Sequence, residues 1–314
     1  MVKGATLVTA YKNPDLDGIA CTYGYAEFLK KTGFEAIPVV FGIPHREANF
    51  VLGKLKEVEI INGDTFVHSV DKIILVDASD LTGISKQIDS KKVVEIIDHR
   101  KVNEASKFTN AKIQIELVGA AATLVAEKFY KNKVAISKES ALLLYSAIIS
   151  NTINFKAGVT TDRDHKMAKW LNEQYTVPKD HIHKMFLNKS EFTKSLDDIL
   201  VEDLAIYEIN AKHLGISQLE IVNVNKFVNL NIKAIKGLLE KIKENKSLDY
   251  IFLTCVDIEK GFNKIVLVDH KTEALVSKVL QIRFNEGIGE TDSIFMRKEI
   301  VPRIKDFLKK FMEK

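Results

Sequence analysis

The strongest constraint on the fold is a set of short apolar runs that do not alternate with polar residues. ATLVTA (Ala5–Ala10), AIPVVF (Ala36–Phe41), KIILVD (Lys72–Asp77) and VVEIID (Val93–Asp98) are apolar at consecutive positions. A strand with one wet face alternates. Consecutive runs belong to strands buried on both faces, in a parallel sheet covered by helices. Helical patterns fall between them, at Gly18–Lys31 and near His45–Leu55. IQIELV (Ile113–Val118) predicts a further strand, followed by helices at about Ala120–Lys131, Lys138–Ser150 and Thr161–Tyr175.

That rhythm then stops. Val177–Phe192 is polar, mixed and weakly periodic, which predicts a linker near Leu187–Phe192 and domains over 1–187 and 193–314. The 314 residues are twice the ~150 expected of one domain. After the linker come a helical SLDDILVED and the strand-like AIYEI, HLGISQLEIVN, YIFLTCVDI and NKIVLVDH. A long helix (Asn231–Lys246) separates the middle pair, and a Lys-rich amphipathic helix spans Val301–Lys314. Strands with flanking helices predict a smaller α/β second domain.

Composition removes other classes. Hydrophobic residues at 46% and charged residues at 28% are those of a globular chain. The formal net charge of +4 is too small to argue for nucleic acid. Cys21 and Cys255 have no metal-type spacing and make a disulfide scaffold an unsuitable reading. The opening MVKGATLVTAYKNPD reaches charge and proline too early for a signal peptide, and no apolar run approaches the ~20 residues of a membrane span. A soluble, cytoplasmic, two-domain protein is expected.

Two of the strands end directly in an acid, Asp77 and Asp98, and the loop after a third carries Asp15 and Asp17. Open α/β sheets bind ligands at the carboxyl ends of their strands. Four segments therefore carry polar groups at strand ends: Asn13-Pro14-Asp15-Leu16-Asp17, Val76-Asp77, Asp98-His99-Arg100 and Ser150-Asn151. Bunched aspartates stay ionised only beside a cation or a basic group. Three carboxylates with one imidazole suit Mn²⁺, Mg²⁺ or Co²⁺. Taken singly, each acid reads equally well as a helix cap or a solvated loop residue; their joint placement points to a metal.

KNPDLDGIA, LVDASD, IIDHR, VGAAATLVAEKFY and SAIISNTINFKAGVTTDRD, in this order and spacing, resemble the DHH phosphoesterase superfamily. Within it the similarity is to the family II, manganese-dependent inorganic pyrophosphatase and exopolyphosphatase-like branch. The resemblance covers most of 1–184. More loosely, ISQLEIVN and MRKEIVP resemble the DHH-associated C-terminal domain. Gly287-Ile288-Gly289 is not the glycine-rich, histidine-bearing segment of the oligonucleotide-degrading branches. The resemblance implies an α/β fold: a parallel-sheet DHH N-terminal domain plus a smaller α/β DHH-associated lid domain, with a cleft between.

The resemblance also implies a site. In the family, two metals about 3.5–4 Å apart clamp a bridging water and neutralise the phosphate under attack. The matching residues are Asp15 and Asp17, Asp77 as the bridging acid, and Asp98 and His99 of the signature. Three positions depart from the pattern: Tyr11 and Asn151 stand where the family has a metal-binding His and Asp, and Arg100 where it has a phosphate-facing His. A phenol is a poor ligand for these ions, and Asn151 offers only a neutral amide oxygen. The site of Asp17, Asp77, His99 and Asn151 keeps a workable shell, so at most one ion is expected to bind well. Losing even an outer partner costs ~10–100-fold in metal affinity or activity. Arg100 supplies fixed positive charge with bidentate phosphate geometry, or else an ordinary salt bridge to the aspartates.

The second domain departs in the same way. Ala205 stands where the family has a phosphate-binding lysine, while Arg297 and Lys298 retain a basic cluster, read either as phosphate ligands or as a solvated helix start. His181 and His183 are expected at the surface. Asp162 and Asp164 fall at a helix start capped by Thr161 or Asp162. Lys156 resembles a family position near the phosphates and reads equally well as structural. Cys21 is expected as a small core residue.

The reading that follows is a metal-dependent phosphoanhydride hydrolase acting on pyrophosphate or the end of a polyphosphate. Mn²⁺ is the first expectation, and Asp98, Arg100, Arg297 and Lys298 are the catalytic and phosphate-holding candidates. Competing readings are a weak or inactive phosphate- or nucleotide-binding homologue, and a phosphoesterase with another substrate. By similarity the partner is a second copy, paired through the N-terminal sheet edge.

Overall fold

The computed structural model describes residues 6–65, 70–192 and 194–312. The chain divides into two compact units, Met1–Asn188 and Lys189–Lys314.

The first unit is built on a six-stranded sheet of β1 (Thr6–Thr9), β2 (Ala36–Val40), β3 (Ile61–Asn62), β4 (Lys72–Val76), β5 (Val93–Asp98) and β6 (Lys112–Ile115), in the order β3-β2-β1-β4-β5-β6. Every pairing is parallel. The central strands β1 and β4 are buried over nearly their whole length, as their unbroken apolar runs require. The helices are α1 (Leu16–Lys31), α2 (Arg46–Leu52), α3 (Ala121–Asn132), α4 (Lys138–Asn151), α5 (Asp162–Gln174) and α6 (His181–Ser190). Strand order runs outward from β1 in one direction and from β4 in the other. The crevice beyond the carboxyl ends of β1 and β4 is thus the switch point where open α/β sheets bind ligands.

In the second unit α7 (Leu196–Glu202) precedes β7 (Leu204–Ile209) and β8 (Lys212–Ile221); α8 (Val224–Asn245), β9 (Tyr250–Asp257), β10 (Phe262–Leu267), α9 (His270–Leu280), β11 (Phe284–Asn285), β12 (Ile288–Glu290) and α10 (Arg297–Met312) follow. The sheet order is β11-β12-β10-β9-β8-β7, with β8 and β9 parallel and the remaining pairs antiparallel. All eight residues of β9 are buried. One core, around Ile235, Leu239 and Leu253, lies under α7 and α8; another, around Phe252, Val276 and Ile304, lies under α9 and α10.

Several sequence expectations are corrected. The stretch expected to be a linker is helical through Ser190, because Met185 and Phe186 give α6 a buried face that its polar residues mask. Helix α8 starts at Val224 rather than Asn231, anchored by Val224 and Val228 in the core. Helix α10 starts at Arg297 rather than Val301. Its entry is held by Asn263, whose amide bonds both the N–H and the carbonyl of Phe295, and by Glu299, which accepts from the Met296 N–H. Helix α9 and the short pair β11 and β12 were not expected at all. His181 is not at the surface: it is 1% exposed and bonded to Ser146 and Lys54.

Candidate metal centre

The site is assembled at the carboxyl ends of β1, β4 and β5. After β1 the chain turns through Asn13, in the left-handed region at φ 57°. The Asn13 side-chain oxygen accepts from the Ile43 N–H at 2.9 Å. Gly42 (φ 75°) is required beside it, since a Cβ there would lie 2.1 Å from that oxygen. The turn delivers Asp15 as the cap of α1, its carboxylate accepting from the Gly18 N–H at 3.0 Å. Asp17 follows in the first turn of α1 and is wholly buried. Asp77, directly after β4, is 4% exposed and also left-handed (φ 51°). His99 follows β5.

Three of the expected ligands come together. Single ligand atoms of Asp17, Asp77 and His99 all lie within 4.8 Å of one another. The imidazole Nε2 is 3.8 Å from Asp17 Oδ2 and 3.6 Å from Asp77 Oδ1. Its Nδ1 lies 2.9 Å from the Val118 carbonyl. A carbonyl only accepts, so Nδ1 carries a hydrogen and Nε2 is the ring nitrogen that faces the carboxylates. This second-sphere orientation is typical of metal-binding histidines. Asn151 stands beside the trio, its amide donating to Asp17 Oδ2 at 2.7 Å. Asp15 is not among the three and serves the α1 cap.

Asp17 is held from the far side by helix α3. Ala120 precedes that helix without a side-chain cap, and the Ala121 and Ala122 N–H groups donate to Asp17 Oδ2 and Oδ1, both at 2.8 Å. The positive end of the α3 dipole thus points at a buried carboxylate. Burial pushes the Asp17 carboxyl up to about 6, against the opposing pull of His99 and of these two N–H groups. Burial, then the charges of Asp17 and Asp15, push Asp77 well above the usual carboxylate range, with Arg100 opposing. Two such carboxylates side by side ask for a cation.

Asp98 and Arg100 form the other half of the acidic cluster. Asp98, wholly buried, accepts from the His99 N–H at 2.7 Å, from Arg100 Nε and from the Ser79 hydroxyl. Arg100 donates to the Asp77 carbonyl and lies 3.6 Å from Asp80. Burial alone would lower the pKa of this guanidinium; Asp77, Asp98 and Asp80 raise it, so it is a fixed cation. Its carbon lies 5.8 Å from the centre of the Tyr11 ring. The Tyr11 hydroxyl accepts from the Asp15 N–H at 2.9 Å, and burial, then Asp15 and Asp77, keep it a neutral phenol.

Arg297, in the second unit, is engaged within that unit. Its guanidinium donates to the Asp203 and Ile216 carbonyls and to the Asp203 carboxylate, and its backbone N–H donates to Gln218. It ties α10 to the end of α7 and to β8. Lys298 next to it is exposed and its charge acts on Glu220. Ala205 sits on β7 opposite Ile216. In the first unit, sequence reasoning passed over Ser79, the Val118 carbonyl and the start of α3. The last had a visible signal: VGAAAT opens a helix with no Ser, Thr, Asp or Asn at its cap, so its first N–H groups had to be satisfied from elsewhere.

Residues 5–148 match the DHH family, N-terminal domain, and residues 183–307 match the DHHA2 domain. The manganese-dependent inorganic pyrophosphatase of Bacillus subtilis (strain 168) is 28% identical over 305 residues, covering 96% of this chain and 97% of that protein. A probable manganese-dependent inorganic pyrophosphatase of Bacillus anthracis is 30% identical over 301 residues, 94% of this chain and 96% of the relative. Among solved structures, a putative family II inorganic pyrophosphatase of Methanococcus jannaschii superposes with a TM-score of 0.68 at 29% identity, covering 96% of this chain and 98% of that one. With family models matching in both units and the similarity running over more than nine-tenths of the chain, it belongs to the DHH family, in the branch of the manganese-dependent inorganic pyrophosphatases.

Proposed function

We propose that this chain is a metal-dependent phosphoanhydride hydrolase, with pyrophosphate as first substrate and the end of a polyphosphate as second. The observation that carries the reading is the convergence of Asp17, Asp77 and a His99 whose Nε2 is presented by the Val118 carbonyl. These residues fit one divalent ion, Mn²⁺ by family, with Asn151 as neighbour. Such an ion, when bound, supplies a water of lowered pKa and neutralises phosphate charge.

A second ion is not supported by the residues present. Tyr11 is a neutral phenol already bonded to the Asp15 backbone, and Asp15 is committed to the α1 cap. Arg100 instead brings permanent positive charge to that side of the cluster. Its guanidinium is held by Asp98, which Ser79 holds in turn, and it can pair with phosphate oxygens in place of a missing metal. Asp98 therefore acts through Arg100 and His99. Lys298 is retained as a candidate phosphate contact; Arg297, turned to Asp203, would have to exchange that partner for a phosphate. We further read the protein as a cytoplasmic homodimer paired along the edge strand β6, where Ile113 is exposed, with exposed Leu117 just beyond it.

Purified protein stripped of metal should take up one Mn²⁺ per chain by elemental analysis and release phosphate from pyrophosphate when it does. The double change Tyr11→His with Asn151→Asp should raise the count to two. No bound ion and no phosphate release, with neither restored by the double change, would sink the reading.

A further inference from the structure

We infer that Asp164, in the first turn of α5, is a positioning residue for the metal centre, acting through the start of α3. Its side chain is wholly buried, and its two oxygens take four hydrogen bonds. Two come from Thr161: backbone N–H and hydroxyl both meet Oδ2 at 2.7 Å, the N–H bond being the Asp164 half of the capping box of α5. A cap needs no more. The other two reach far back along the chain, to the Gly119 N–H (2.9 Å, on Oδ2) and the Thr123 hydroxyl (2.5 Å, on Oδ1).

Gly119 and Thr123 bracket the residues that serve the site. Between them, Ala121 and Ala122 donate to Asp17; immediately before them, the Val118 carbonyl holds His99 Nδ1. One buried carboxylate therefore fixes both ends of the segment that aims one carboxylate ligand and the imidazole ligand. The approach is so close that only glycine fits at 119: a Cβ there would lie 2.5 Å from Thr152 Cγ2 and 2.9 Å from Asp164 Oδ2. Small misplacements of ligand-orienting groups cost metal affinity. The inference rests on the reading of Asp17 and His99 as ion ligands.

The two halves of the carboxylate can be cut separately in the full chain. Thr161→Ala removes the cap hydroxyl, Thr123→Val removes the α3 bond with little change of shape, and Asp164→Asn disturbs both. Three quantities are read: melting temperature, Mn²⁺ affinity of stripped protein by calorimetry, and the His99 ring-nitrogen NMR signature of the metal-free protein. Thr161→Ala should lower the melting temperature while leaving Mn²⁺ affinity and the His99 spectrum as in the parent. Thr123→Val and Asp164→Asn should weaken Mn²⁺ binding by ~10–100-fold and lose the protected His99 Nδ1–H signal. Should Asp164→Asn not fold, Thr123→Val carries the same comparison. Loss of stability in all three with Mn²⁺ affinity and the His99 signal intact would reduce Asp164 to a helix cap and overturn the inference. If the parent itself binds no Mn²⁺, the metal reading fails, and the His99 signal alone decides whether Asp164 orients the ring.

Discussion

Two buried aspartates at the carboxyl ends of strands behave in opposite ways. Asp257 closes β9 in the second unit and is wholly buried, yet its oxygens accept from the backbone N–H groups of Val224, Glu259 and Lys260 at 2.8–3.2 Å. Asp77 follows β4 in the first unit, equally deep, but faces Asp17 and His99. The first carboxylate is satisfied by the chain that surrounds it and serves to tie α8 to the end of the sheet. The second is crowded by like charge, which the Arg100 guanidinium, bonded to the Asp77 carbonyl, and the nearby His99 imidazole offset only in part. An acid at a strand end is therefore not a site by its position. It becomes one when the groups around it leave negative charge unbalanced.

The largest expected effect breaks this comparison most directly. Asp77→Asn should abolish measurable Mn²⁺ binding, a loss of at least ~100-fold, while leaving the metal-free protein as stable as the parent or more so, since it relieves repulsion with Asp17. Asp257→Asn should do the reverse. It leaves Mn²⁺ affinity unchanged but sets an amide N–H₂ against backbone donors, at a cost of about 1–3 kcal/mol read by denaturant melts. Equal behaviour of the two variants in calorimetry and melting would dissolve the distinction.

A smaller effect comes from removing the ion. At a free Mn²⁺ concentration 100 times its dissociation constant, bound metal stabilises the fold by ~2.7 kcal/mol. A chelator should therefore lower the melting temperature of the parent by several degrees and leave that of Asp77→Asn unmoved.

The smallest sharpens the contrast with a third buried group. Ser146 donates its hydroxyl hydrogen to the Leu142 carbonyl at 2.7 Å, so it accepts from His181 Nε2 at 2.7 Å, and Nδ1 accepts from Lys54 at 3.1 Å. His181 is thus neutral. Burial, then the charge of Lys54, lowers its pKa to about 4, with Asp180 opposing. The unfolded chain takes up this proton first, near the ordinary value of 6.5. Stability from this group is fully present above pH 6.5 and is lost as pH falls toward 4. Melting curves of His181→Asn should show a shallower fall across that window than the parent.

Most of the site is legible in the amino-acid sequence. Unbroken apolar runs announced a parallel sheet, and acids at their ends announced where charge would gather; Asp17, Asp77 and His99 did converge. Asp15 was harder to read, because N-P-D-x-D serves a helix cap and a metal with the same residue types. His181 was misread because a polar stretch hides a helix whose buried face is made of only a few residues. Arg297 was legible as basic but not as spoken for, since its partners lie at the end of α7 and on β8, 94 and 81 residues away.

The amino-acid sequence alone determined which strands could be buried, which residues could bind a cation, and that Arg100 stands next to the signature Asp98 and His99. Those are properties of residue type and local spacing. Only the tertiary structure decided which acids stay unsatisfied. That depends on backbone donors arriving from distant segments: Ala121 and Ala122 on Asp17, Val224 on Asp257, Gly119 on Asp164. Backbone N–H groups are the same at every residue, so their direction is written in the fold and not in the letters.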